Sequence, residues 1–190
     1  MDTCEKPIVI VFIFASGQFC RKMKESHIET ERKFLVKDNS YKETATESHR
    51  MTQGYICRES GRTVRVRISG GRAWLTIKGA SSGSGMSRYE WEREIPAEEA
   101  EELMKLCQEG IVDKTRHIVP YEGHRFEVDE FHGENRGLVI AEVELENETE
   151  PFGKPAWLGK EVTGDRRYYN SMLTLHPFSE WGCTAREQAE

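Results

Sequence analysis

A chain of 190 residues with 37% hydrophobic and 32% charged positions can bury roughly 70% of its unfolded surface as one domain, so neither a metal nor a disulfide staple is needed to fold it. Its 27 Lys and Arg against 33 Asp and Glu leave a net charge of −6, which argues against a nucleic-acid partner, where a basic balance is the rule. Strand-forming hydrophobic residues recur from Ile28 to Trp181, which excludes a disordered chain.

The first 26 residues stand apart. Pro7 to Ala15 (PIVIVFIFA) is apolar but far shorter than the roughly 20 residues that cross a bilayer, so no membrane partner is expected. The small residues Ala15-Ser16-Gly17 follow it as at a signal cleavage site, yet Asp2 and Glu5 accompany a single Lys6 where such a signal is positively charged. Residues 1–26 are therefore expected to be an N-terminal extension outside the fold, and 27–190 to form the domain. Cys4, Cys20, Cys57, Cys107 and Cys183 include no C-x-x-C pair. They read as reduced thiols of a cytoplasmic protein, not as a zinc ribbon or a redox dithiol.

From Ile28 to Glu146 the pattern is that of a β meander. Eight strands with period-two alternation are predicted near 28–36, 53–59, 62–69, 72–78, 88–95, 112–119, 124–131 and 138–146. Their punctuation is Ser60-Gly61, Gly70-Gly71, the Gly/Ser run Gly79 to Ser87, Glu122-Gly123 and the loop Gly133 to Gly137. One helix interrupts them, entered at Pro96, carrying Leu103, Leu106 and Cys107 on one face and ending at Gly110. A short helix is predicted within Lys37–Ser48. A better one runs from Asp165, as N-cap, to Leu175, with Pro177 as its stop. The expected class is mainly β with some helix (α+β), and no second domain appears.

Alternation assigns side chains to two faces, and one face is repeatedly ionic. It carries Glu29, Glu31 and Lys33; Arg65 and Arg67; Trp74, Thr76 and Lys78; Arg88, Glu90, Glu92 and Glu94; Lys114 and Arg116; Arg125, Glu127 and Asp129; and Glu142, Glu144 and Glu146. Such a pattern ordinarily describes an antiparallel sheet with one solvated face. Here, however, the charges are segregated into acidic pairs and basic pairs, and like charges at i,i+2 repel unless an opposite charge lies between them. Carboxylate pairs invite a hard divalent cation, and Arg or Lys pairs invite phosphate oxygens. Eight strands can also close into a barrel, turning one face inward around a water-filled, anion-binding tunnel, with helices covering the apolar face from outside.

Glu29-x-Glu31-x-Lys33 followed by Phe34-Leu35-Val36 resembles the E-x-E-x-K signature of the CYTH superfamily, the triphosphate tunnel metalloenzymes. The resemblance continues in order through RTVRVRI, WLTIKG, YEWEREIP, DKTRH, FEVDEFHG, LVIAEVELE, GKEVTGDRRYYN and LHPFSEW. It spans about residues 27–181 and is greatest to the small bacterial single-domain members. It implies an eight-stranded antiparallel barrel whose tunnel binds a triphosphate with Mg²⁺ or Mn²⁺. Carried over by position, Glu29, Glu31, Glu142 and Glu144 resemble the metal-binding carboxylates, with Glu90 and Glu92 as supports for a second metal. Lys33, Arg65, Arg67, Lys78, Lys114 and Arg116 resemble the cationic wall around the phosphates, and Arg167 is a further candidate. Of Lys160 and Glu161, only one can face inward. His27, His117, His124, His132 and His176 show no ligand spacing and read as surface or structural.

The resemblance implies a tripolyphosphatase, with Lys33 positioning substrate and Glu31 or a second ion activating water. The alternatives are an enzyme for an organic triphosphate (a class IV adenylate cyclase, or a nucleoside or thiamine triphosphatase) and a non-catalytic polyphosphate- or nucleotide-binding module. A monomer or a homodimer suits each of them.

Overall fold

The computed structural model describes residues 27–59, 61–107 and 110–182; the extension expected over 1–26 lies outside them. In chain order the elements are β1 (Ile28–Val36), α1 (Tyr41–Thr44), β2 (Glu47–Cys57), β3 (Arg62–Ser69), β4 (Arg72–Ser81), β5 (Ser87–Ile95), α2 (Ala97–Met104), β6 (Val112–Tyr121), β7 (His124–Phe131), β8 (Val139–Leu145), β9 (Leu158–Glu161) and α3 (Asn170–Leu173). Short 3-10 turns occupy Gly133–Asn135, Arg166–Tyr168 and Phe178–Glu180. Among the described residues no helix is long and apolar enough to cross a membrane.

The strands form one antiparallel sheet in the order β5-β4-β3-β2-β6-β7-β8-β1-β9, and a further pairing of β1 with β5 closes β1 to β8 into an eight-stranded barrel. That closure depends on how β1 divides one of its edges. Ile28, Glu29 and Thr30 pair with Tyr89, Arg88 and Ser87 of β5, while Phe34 and Val36 pair with Glu161 and Leu158 of β9. The ninth strand had no signal in the sequence: LGKE is short and does not alternate, and it is a strand because β1 leaves an edge for it. Between β3 and β4, Gly70 and Gly71 both take positive φ (57° and 79°) with Ser69 opposite Arg72. This two-residue turn matches the right-handed twist of the flanking strands.

The helices are shorter than their patterns suggest. In α2 the last bonds, Lys105 N to Glu102 O and Leu106 N to Leu103 O, tighten to i−3 spacing and end the helix well before Gly110. The stretch expected to be one helix from Asp165 breaks at Tyr169, which is extended (φ −75°, ψ 131°). Asp165 does cap it, accepting from the Arg167 N–H. Of Lys37–Ser48 only Tyr41–Thr44 is helical, because Glu47 to Gln53 are already laddered to β6.

Outward-facing residues build two cores. Phe34, Tyr41, Val119, Phe126, Val128, Ala141, Val143, Leu145 and Trp157 pack where α1 and the β8–β9 connection cover one side. Val66 and Ala73 pack under Ala100 of α2 on the other. A Cβ on Gly54 would lie 2.7 Å from Cys107 Sγ, so glycine there lets the end of α2 settle onto β2. A third core lies on the inner face. Leu35, Val112, Phe131 and Ile140 continue the inward positions of β1, β6, β7 and β8 and pack against Tyr168, Leu173 and Phe178. The ionic lining therefore stops short of one end of the barrel, which the C-terminal segment caps. The cover expected from helices comes from one eight-residue helix, single turns and connecting loops, so burial rests on loop side chains as much as on helix faces.

Candidate active site

Closing the sheet brings the inward charges of separate strands within reach of one another, and they interlock. Lys33 of β1 is ion-paired with Glu142 across the β1–β8 ladder and lies 3.1 Å from Glu31. Arg88 of β5 reaches Glu31 at 2.9 Å and Glu29 at 3.3 Å. Lys78 of β4 meets Glu90 at 2.6 Å and Glu29 at 3.1 Å. Arg65 and Arg67 of β3 share Glu92, both at 3.1 Å, and Thr76 donates to the same carboxylate at 2.7 Å. On the far side, Lys114 and Arg116 of β6 hold Asp129 at 2.5 and 2.6 Å, and Arg116 also pairs with Glu127 and, at 3.1 Å, Glu142.

The electrostatics follow from burial against pairing. Burial opposes the charge on Lys33, but Glu142 and Glu31 together lift its pKa above the ordinary value. Burial likewise opposes ionisation of Glu142, and Lys33 and Arg116 hold it well below the usual carboxylate range. Glu90 is drawn down to about 2 despite burial, by a hydrogen bond with Glu29 and by Lys78 and Arg65. Arg67 is lowered to about 10 by burial and by its neighbour Arg65. Lys114, with its side chain 1% exposed, is pushed down to about 8: burial is the largest cause, Asp129 opposes it and Arg116 adds to it.

Of the residues singled out in the sequence, Glu29, Glu31, Lys33, Arg65, Arg67, Lys78, Glu90, Glu92, Lys114, Arg116 and Glu142 are brought into this interior network. Glu144 is on the same face but exposed, directly opposite Glu31 in the ladder. Arg167 is not among them. It is largely exposed, paired with Asp165 at 2.6 Å and laid over Tyr168 and Trp181, contacts that hold it away from the ionic interior. Lys160 and Glu161 are both exposed, Glu161 holding Arg32 on the outer face. His117, His124 and His132 pair instead with Glu130, Glu150 and Thr115.

Four members, Thr76, Arg88, Glu127 and Asp129, lie on the ionic face by alternation but carry no role in the family's motif. Each stands two residues from another inward residue of its own strand, which is the signal that finds them. Gln53 and Tyr55 were missed, because neutral residues at inward positions of β2 leave no charge pattern.

A divalent cation fits the donor set by its chemistry. Glu31 on β1 stands directly opposite Glu144 on β8, with Glu142 one inward position along β8 opposite Lys33 and Glu29 one inward position along β1 opposite Arg88, so the carboxylates offer the oxygen donors a hard ion prefers. Among the described residues no three His, Cys, Asp or Glu side chains are gathered tightly enough to hold an ion as they stand. The carboxylates rest instead on Lys33, Lys78 and Arg88. Chemically, the interior is a lining of Arg and Lys donors, each held in place by a carboxylate that a cation would attract.

A family model described as the CYTH domain matches residues 27–174. A protein of Acetivibrio thermocellus named inorganic triphosphatase is 46% identical over 154 residues, covering 80% of this chain and 97% of that protein. One of Nitrosomonas europaea with the same name is 35% identical over 152 residues, covering 77% and 97%. A crystal structure described as an inorganic triphosphatase matches with a TM-score of 0.55 at 32% identity, covering 77% of this chain and 94% of its own.

Proposed function

The chain belongs to the CYTH domain family, and from that premise we propose that it is a metal-dependent inorganic triphosphatase, which hydrolyses tripolyphosphate and releases orthophosphate. The observation that carries this reading is the convergence of Lys33, Arg65, Arg67, Lys78, Arg88, Lys114 and Arg116 from five strands onto one enclosed face with paired carboxylates. Phosphoryl transfer asks for charge neutralisation and in-line positioning more than for covalent chemistry. Such a face supplies both.

Mg²⁺ or Mn²⁺, held by Glu29, Glu31, Glu142 and Glu144, would polarise phosphate oxygens and acidify water. The remaining work belongs to the chain. Arg65 and Arg67 present forks suited to bidentate phosphate contacts, and Lys33 and Lys114 act as point charges. Together they hold the triphosphate extended, with Glu92 and Asp129 keeping those cations in position. Glu31 accepts the proton of the water that attacks the terminal phosphorus.

An inorganic substrate is favoured over an organic one because Trp74, an aromatic ring on the ionic face, is already covered by Arg67 at 4.9 Å and Arg72 at 5.1 Å. We assign the activity to residues 27–190, as a monomer or homodimer, and place it in the cytoplasm on the strength of the free thiols Cys57 and Cys107. The test is phosphate release from tripolyphosphate, ATP and thiamine triphosphate side by side, with Mg²⁺ and then Mn²⁺. Preferential turnover of tripolyphosphate is expected. Faster turnover of ATP or thiamine triphosphate, or conversion of ATP to a cyclic product, would overturn the assignment.

A further inference from the structure

The outer wall formed by β3, β4, β5 and β1 is covered over only part of its length. Helix α2 packs on Val66 and Ala73, but further along these strands the outward residues Val64, Ile77 and Trp91 stand side by side, Val64 opposite Ile77 and Ile77 opposite Trp91. Ile28 of β1 stands opposite Tyr89, two residues from Trp91 on the same face of β5. Gly79, whose Cβ would lie 3.2 Å from that of Tyr89, offers no side chain to cover the ring. Ile28, Ile77 and Tyr89 are 48%, 40% and 45% exposed, and Val64 and Trp91 are half-buried. Among the described residues six large hydrophobic side chains are this open, and three of them meet on this wall. Scattered singly they would need no explanation, but a contiguous apolar patch marks a surface that something covers.

The chain itself carries an apolar segment tethered to this patch. Residues 7–20 (PIVIVFIFASGQFC) hold no charge, and Pro7 to Ala15 is apolar throughout. The tether ends at His27, whose carbonyl accepts from the Glu90 N–H at 2.7 Å and whose ring lies 5.3 Å from that of Tyr89. The extension therefore meets the barrel at the edge of the patch. Residues 16–26 lie between, and a coil of that length spans about 18 Å, against about 10 Å across three strands. The segment is too short to cross a bilayer, which takes roughly 20 residues. A second copy would have to compete with a segment held near the patch at an effective concentration on the order of millimolar.

We infer that Pro7–Ala15 folds back and docks on the outer apolar wall made by Ile28, Val64, Ile77, Tyr89 and Trp91, where α2 leaves the sheet open. The extension is then an addition to the outside of the barrel, removing apolar surface from water on both partners at once. It contributes nothing to the interior, whose charged residues begin at Glu29.

The test is photo-cross-linking in the full chain with p-benzoylphenylalanine in place of Tyr89, the products sized on a denaturing gel and mapped by mass spectrometry. A cross-link from position 89 to the segment 7–15 within one chain is expected, and Val11→Asp, which puts a charge into the apolar run, should abolish it. A cross-linked dimer would give the wall to a second copy and overturn the inference. Absence of any cross-link would overturn it too, and flotation of the protein with phosphatidylcholine vesicles would then name lipid as the occupant. Should the benzoylphenylalanine variant not fold, fluorescence of 8-anilinonaphthalene-1-sulfonate decides in the full chain with Tyr89 intact. Val11→Asp should raise the fluorescence several-fold over wild type by uncovering the wall, and Ile77→Ser added to it should remove much of that rise. No rise in Val11→Asp, or a rise that Ile77→Ser leaves unchanged, would show that the segment does not cover this wall. None of these readouts involves turnover, so they are independent of the proposed reaction.

Discussion

Glu31 on β1 and Glu144 on β8 stand directly opposite each other in the barrel ladder, both on the inner face. Like charges in that position destabilise a sheet by roughly 0.2–1 kcal/mol unless a cation intervenes. Lys33, 3.1 Å from Glu31, and Arg88, 2.9 Å from it, supply part of that cation. Adding Mg²⁺ or Mn²⁺ should therefore raise the melting temperature, and exhaustive chelation should abolish turnover. Glu31→Gln keeps the side chain's size but removes its charge, so turnover should fall by about 10²-fold or more while tripolyphosphate still binds. Calorimetry and phosphate release on one preparation check this, and near-normal turnover would exclude Glu31 from the chemistry.

Arg65 shares Glu92 with Arg67, and Thr76 steadies the same carboxylate. Arg65→Ala should lower tripolyphosphate affinity by roughly 10- to 100-fold. Glu92→Gln should do so less severely, by releasing both guanidinium groups from their common anchor. Equilibrium dialysis of the purified variants tests both, and thermal melting should show each of them still folded.

Lys114 titrates at about 8 in the barrel against an ordinary 10.5. Its charge is complete below that value and lost as the pH rises through it, so tripolyphosphate affinity should decline above about pH 8, and binding near that pH should take up a proton. Calorimetry in buffers of different ionisation enthalpy measures the uptake. Lys114→Gln should bind weakly but without this pH step. For stability the sign is the reverse of the usual lysine: between about pH 8 and 10.5 the unfolded chain holds this proton more tightly, so this group makes stability rise with pH across that window.

Val66, opposite in face to Arg65 and Arg67, has no exposure and packs with Ala73 and Ala100 beneath α2. Val66→Asp buries a charge with no partner and should cost about 3 kcal/mol or more. A denaturation midpoint near that of wild type would show that α2 does not seal this side.

A chain that begins at His27 should retain its turnover, since the proposed site draws on β1 and later strands only. Phosphate release and melting of the shortened protein against the full chain check it.

Period-two alternation alone was enough to separate the ionic face from the apolar one, because a strand leaves each side chain only two directions. The bounds of β1, β3 and β7 were legible for the same reason, helped by glycine turns such as Gly70-Gly71 that tolerate positive φ. The ordered motifs of charged pairs carried the family. Other features belong to the closed barrel. The pairing of β1 with β5 joins residues nearly sixty positions apart, and only that closure sets Arg88 beside Glu29 and Glu31. Strand β9 exists because β1 has a free edge, and Arg167 is held over Tyr168 and Trp181 and paired with Asp165; the edge and the Trp181 ring cannot be read from the local residues. Which carboxylate holds which cation is likewise a matter of register, since one residue of slip would turn every inward charge outward. Gln53 and Tyr55, neutral and therefore silent in the charge pattern, acquire their place only from the walls that surround them.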